Sequence, residues 1–210
     1  MVISYLGAEA FKIQFGNFVI AYNPVSKASK LKSSSFGADI VLISANHDDL
    51  NGAENASRGD KLPFVIKSPG EYEIKGVFVR GYPSVSKYGG KERMNTIYTV
   101  SLENMNLCFL GALSVADLPN EVKEELENID ILFVPIGGDG VLAPAEAYKL
   151  SVSLEPKIIV PMHYTENPAA LKTFLKEGGE EGVEKHDKLT IKNKDLEGKE
   201  GDIVVINPTT

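Results

Sequence analysis

The 210-residue chain is 43% apolar, enough for a substantial core, and its length fits one α/β domain over residues 1–210. A net charge of −7 without any basic stripe of interleaved aromatics excludes a dedicated nucleic-acid surface, and no apolar run approaches the ~20 residues of a membrane-spanning helix. Residues 1–7 lack the pattern of a secretory leader and the single cysteine, Cys108, precludes an intrachain disulfide, so the chain reads as unexported and cytoplasmic.

The first half reads as strands separated by turns. Residues 2–6, 10–15 and 17–22 are short and rich in β-branched or aromatic side chains, and Gly16-Asn17 suits a hairpin turn, so a β-meander is predicted. Residues 27–37 are rich in serine and lysine without apolar periodicity, which predicts a loop or short irregular helix before a strand at 40–43. Pro69-Gly70, Lys75-Gly76 and Gly89-Gly90 punctuate strand candidates at 64–67, 72–80 and 96–102. Residues 88–93 read as a mobile loop tip. Cys108, inside the apolar run 107–110, reads as a core residue.

The apolar period then changes. Leu118, Val122 and Leu126 place a helical face over 117–128. Residues 131–135 predict a buried strand, and 144–154 a helix whose first turn holds Pro144, where the missing N–H costs nothing. Another strand is predicted at 157–161, then a helix at 168–176 that Gly178-Gly179 stops. Residues 188–192 and 202–207 predict a closing strand pair across a charged turn. No internal repeat or low-complexity linker is present. Strands followed by strand–helix alternation indicate a layered α/β domain.

Several predicted strands end in polar or glycine-bearing loops, at 44–51, 111–114, 137–140 and 161–164. Ligands of α/β sheets gather beyond the carboxyl ends of strands, so these loops are expected to meet at one crevice. His47 and His163 sit on two of them, whereas His186 lies in a charged, surface-like stretch. Gly137-Gly138-Asp139-Gly140 lacks the Lys-Ser/Thr of a phosphate-binding loop and reads as a turn.

In Val41-Leu42-Ile43-Ser44-Ala45-Asn46-His47-Asp48-Asp49-Leu50-Asn51 an apolar strand runs into one histidine and two carboxylates. This segment resembles the metallo-β-lactamase superfamily signature, in which a strand leads into His-x-His-x-Asp-His. Tyr5-Leu6-Gly7-Ala8-Glu9-Ala10-Phe11, Ile20-Ala21-Tyr22-Asn23-Pro24, Phe109-Leu110-Gly111-Ala112-Leu113 and Glu155-Pro156-Lys157-Ile158-Ile159-Val160-Pro161-Met162-His163-Tyr164 resemble further segments of one branch. That branch comprises small bacterial and archaeal zinc-dependent hydrolases. The resemblance implies a four-layer αββα sandwich and a metal site at its edge.

In the register of the signature, its four positions fall on Ala45, His47, Asp49 and Leu50. The resemblance puts the bridging aspartate at Ala112, a further histidine near 83–87, where none exists, and an aspartate where Asn23 stands. Candidate metal ligands are therefore His47, Asp49 and His163, helped by Asp48 or Asp139. A catalytic zinc generally takes three protein ligands and a water, and affinity comes from deprotonated ligands in fixed geometry. The leading expectation is a hydrolase-like protein without a resident cofactor and without efficient metal-dependent hydrolysis. One rival is a mononuclear hydrolase with zinc or another divalent ion weakly held by His47, Asp49 and His163. Another is a metal-free module binding a small molecule or a protein in the vacated crevice or at a sheet edge, alone or as a homo-oligomer. Without metal, the three residues are expected to form a hydrogen-bonded clasp between two loops.

Overall fold

Fifteen short strands and three helices make up the computed structural model, which describes residues 1–60 and 62–209. Strands β1 (Val2–Gly7), β2 (Ala10–Phe15) and β3 (Phe18–Tyr22) form the predicted meander. β4 (Ile40–Leu42) and β5 (Phe64–Ile66) then add in parallel, giving one half of a sandwich. The second sheet runs antiparallel through β6 (Gly70–Ile74), β7 (Val77–Ser86), β8 (Arg93–Leu102) and β9 (Met105–Phe109). It continues in parallel through β10 (Ile131–Pro135) and β11 (Ile158–Met162).

The segment read as one strand over 72–80 is a hairpin. Lys75 and Gly76 both take positive φ, 52° and 77°, the pair of values that a two-residue turn between right-twisted strands requires. Helix α1 (Asn120–Glu125) is shorter than its apolar face predicts, because Pro119 caps its start and Asn128 turns left-handed just beyond its end. α2 (Pro144–Ser153) and α3 (Pro168–Glu177) follow the predicted pattern and pack on each other, with α2 also against β10.

The chain end departs from the predicted strand pair. After β12 (Lys185–His186), strand β13 (Leu189–Thr190) joins β1, whereas β14 (Asp202–Ile203) joins β11 and β15 (Val205–Ile206) joins β12. The two segments therefore cover edges of different sheets, which hides backbone groups that an open edge would expose. All three helices come after β9. The outer side of β3 and β4 is instead covered by residues of the 27–37 loop and of a 3-10 turn at Ala53–Ala56, where Phe36 and Ala53 pack on Val19, Ala21, Val41 and Ile43.

Between the sheets, five rings interlock. Tyr5 stacks on Phe11 at 4.8 Å, Phe11 meets Phe133 edge-on at 4.9 Å, and Phe109 stacks on both Phe133 and Tyr22 at 4.2 Å. Tyr5, Phe11 and Tyr22 come from the first sheet, and Phe109 and Phe133 from the second. All five are fully buried. Tyr22 and Phe109 are the last residues of their strands, so this aromatic column sets the spacing of the loops that follow. Replacing Phe133 with alanine removes a ring that touches both sheets and should cost about 3–5 kcal/mol, read from the midpoint and slope of urea denaturation.

Candidate functional site

The polarity of the strands brings together the ends of β3, β4, β7, β9, β10 and β11 and the turn between β1 and β2. Backbone contacts hold the two sheets there: Thr96 N donates to Ser44 O at 2.8 Å, and Ala45 forms a single bridge with Asn95. The Tyr98 hydroxyl adds a bond to Ile43 O at 3.0 Å.

Below the crevice lies Glu9, whose side chain is fully buried. A buried carboxylate must be hydrogen-bonded or paired, and Glu9 is. His163 Nδ1–H donates to its Oε1 at 2.7 Å, and Asn23 Nδ2 donates to its Oε2 at 2.8 Å. Asn23 also donates to Ser44 Oγ and accepts from Ser44 N, each at 2.8 Å, which fixes the orientation of the amide. A carboxylate at position 23 could not donate to Glu9 and would repel it. The asparagine that stands where the resemblance places an aspartate is therefore the complement of Glu9.

His163 itself sits at φ 61° directly after β11, with its N–H bonded to Ala8 O at 2.7 Å. Gly137 lies so close that a Cβ there would fall 2.2 Å from His163 O. Only glycine fits.

On the other side of the crevice, Asp49 N donates to His47 Nδ1 at 3.2 Å. That lone pair is thereby used, so the 3.4 Å approach of His47 Nδ1 to Asp49 Oδ2 is not an ion pair, and the ring carries its proton on Nε2. Asp49 Oδ1 accepts from the Ser29 hydroxyl, and Asp49 Oδ2 accepts from the Tyr88 hydroxyl at 2.6 Å. Burial raises the pKa of the Tyr88 phenol above its ordinary value, and its hydrogen bond to the Asp49 carboxylate raises it further. The phenol is thus held as a neutral donor.

Tyr88 joins the two halves. Its ring packs on His47 at 4.7 Å and meets His163 edge-on at 4.6 Å. The floor beneath is apolar, made of Ala45, Leu50, Ala112 and Val141, and Tyr88 packs against it. Three of these four residues occupy positions where the resemblance expects metal ligands. The predicted clasp between the His47 and His163 loops runs through the Tyr88 side chain, while the hydrogen bond from Asp49 to His47 lies within one loop and His163 bonds Glu9 instead.

Tyr88 opens the segment read as a mobile tip, yet it faces inward. The turn at Tyr88–Gly90 is tied by Gly90 N to Lys87 O at 3.1 Å and by Lys87 N to Ser114 Oγ at 2.7 Å. Gly89, at φ 71°, lies against His47, where a Cβ would come 2.7 Å from Nε2. The Gly89-Gly90 pair was legible as a turn, and the aromatic residue before it was the missed signal. Glu9 was missed because nothing local marks a strand-turn acid as buried.

Asp48 and Asp139 are exposed, and His186 is exposed on β12 as predicted. Among the described residues, no three His, Cys, Asp or Glu side chains are grouped to hold a metal ion. The Tyr88 ring lies between His47 and His163 with its hydroxyl on Asp49, above an apolar floor.

The sequence profile of the β-lactamase superfamily domain matches residues 2–163. A metal-dependent hydrolase of Listeria welshimeri is 24% identical over 200 residues, covering 80% of this chain and 87% of its own length. One from Thermococcus onnurineus is 26% identical over 192 residues, covering 79% and 85%. Among solved structures, a metallo-β-lactamase superfamily protein from Thermotoga maritima superposes with a TM-score of 0.76 at 26% identity, over 98% of this chain and 97% of its own. A metallo hydrolase from Ignicoccus hospitalis shares the fold, with a TM-score of 0.66 at 17% identity over 100% and 96% of the two chains.

His163→Ala strips the fully buried Glu9 of one of its two partners. Leaving a buried carboxylate oxygen without its hydrogen-bond donor should cost about 1–3 kcal/mol, measured by chemical denaturation at neutral pH. An unchanged midpoint would show that Glu9 does not depend on His163.

Proposed function

The chain belongs to the β-lactamase superfamily, and we propose that it uses this fold as a metal-free binding crevice rather than as a metal-dependent hydrolase. The observation that carries the reading is Tyr88, whose ring lies against His47 and His163 while its hydroxyl bonds Asp49. Asp49 is engaged through both carboxylate oxygens, and each imidazole through one ring nitrogen. His163 Nδ1 is committed to Glu9, His47 Nδ1 to the Asp49 amide, and both Asp49 oxygens to hydroxyl groups.

Energetics favour the same reading. A divalent ion here would have to displace a half-buried aromatic ring and would have Leu50, Ala45 and Ala112 at the three further positions where the resemblance expects ligands. Apolar groups cannot replace the water shell that an ion gives up, whereas they suit the body of an organic ligand. In this reading Glu9, Asn23 and Ser44 keep the crevice in shape by fixing one imidazole. Ser29 does the same for Asp49 on the opposite side. The ligand proposed is a small molecule, matched to the space that the Tyr88 ring fills between His47 and His163.

The names of the relatives favour a second reading, in which a single divalent ion on His47, Asp49 and His163 supports hydrolysis. Metal that binds only the folded state stabilises it in proportion to the logarithm of its concentration over Kd. The two readings therefore separate in one measurement. Protein purified without chelator should contain well under one equivalent of zinc, manganese or iron by elemental analysis, and exhaustive EDTA treatment should leave Tm unchanged within about 1 °C. A stoichiometric metal whose removal lowers Tm by many degrees, restored on re-addition, would establish the hydrolase reading instead.

A further inference from the structure

We infer that the crevice is a slot for a small hydroxylated aromatic ring, and that Tyr88 is its built-in occupant, standing where a free phenol binds. This inference rests on the metal-free reading of the same site and gives it a ligand class.

The chemistry of the slot identifies its occupant. The floor is formed by Ala45, Leu50, Ala112 and Val141, a dry surface suited to a flat apolar body. Two walls are imidazoles whose centroids stand 4.7 and 4.6 Å from the ring they hold, within the range at which aromatic pairs attract beyond simple burial. At the far end Asp49 presents Oδ2 to a hydroxyl at 2.6 Å, while Ser29 occupies its other oxygen.

That combination discriminates among ligand classes. A plain benzene ring would satisfy floor and walls but leave the Asp49 oxygen without its donor, and a site built to bond a hydroxyl rejects the analogue that lacks it. An anionic ligand would face the Asp49 carboxylate with Glu9 close behind, and both repel it. An aliphatic alcohol would reach Asp49 but forgo the ring contacts. A neutral phenol satisfies all three surfaces.

Opening of the slot requires Tyr88 to leave it by side-chain rotation. Its ring is half-buried, and a Cβ at the exposed Gly90 beside it would meet no atom within 4 Å, whereas Gly89 lies against His47. The main chain is held independently through Lys87 N to Ser114 Oγ and Gly90 N to Lys87 O. The tethered ring is thus an internal competitor, and the apparent affinity for a free phenol is lowered by the fraction of molecules in which the slot is open.

The test uses 4-methylphenol, the tyrosine side chain as a free molecule, and toluene, its counterpart without the hydroxyl. Each is titrated into the whole protein and into Tyr88→Ala, by calorimetry and by following the imidazole NMR signals of His47 and His163. The variant should bind 4-methylphenol roughly tenfold or more tighter than it binds toluene, the factor expected for one hydrogen bond to a charged acceptor. It should also bind it roughly tenfold or more tighter than the parent does, with both imidazoles shifting.

If Tyr88→Ala does not fold, Tyr88→Phe serves, since it keeps the ring but releases Asp49. That variant should bind 4-methylphenol several-fold tighter than the parent. A folded variant that binds 4-methylphenol no better than toluene, or no better than the parent does, overturns the inference. So does binding that leaves both imidazoles unshifted. A parallel zinc titration of the parent separates the two levels: tight zinc binding overturns the metal-free reading itself, whereas failure of 4-methylphenol without zinc binding overturns only the phenol slot.

Discussion

A carboxylate cannot be buried without partners, and the fully buried Glu9 imposes that requirement on the whole crevice. Its two oxygens draw in His163 from the end of β11 and Asn23 from the end of β3. Asn23 in turn fixes Ser44 at the end of β4. Three strands that are far apart in sequence are thus locked at one end by a single charge. The aromatic column below brings those strand ends to the right separation, and the hydrogen bonds then select one arrangement among the packings that separation allows.

In the proposed metal-free reading, one kind of cohesion takes the place of another. A metal centre ties loops together through an ion that several charged or imidazole ligands share. Here the tie between the His47 and His163 loops is a phenol ring, with a carboxylate at its tip and small apolar side chains beneath it. These replacements agree with one another. Ala45, Leu50 and Ala112 would each be a defect beside an ion, but together with Val141 they make the surface on which Tyr88 rests. A fold can keep its scaffold while the chemistry at its edge is exchanged.

Much of the fold was legible in the sequence because its signals are local. Alternating β-branched and aromatic residues mark the meander, Pro144 and Gly178-Gly179 bound two helices, and the buried runs at 131–135 and 157–161 read as strands. The pairing of the last strands was not legible, since which sheet edge a two-residue strand covers is a tertiary decision. At the site, His47, Asp49 and His163 could be singled out from their loops. Tyr88 and Glu9 could not, because their roles exist only once β7 and the first hairpin come to the same end of the sandwich. The Lys75-Gly76 hairpin was a different kind of miss: the turn residues were visible, but the apolar residues on both sides suggested continuity.

The central claim is that the Tyr88 ring holds the place of a metal ion. Crystals soaked in zinc and measured at the zinc absorption edge address it directly. The account predicts no anomalous peak within coordination distance of His47, Asp49 and His163, with Tyr88 still against both imidazoles. A strong peak shared by those three residues, with the Tyr88 ring swung out, would contradict it.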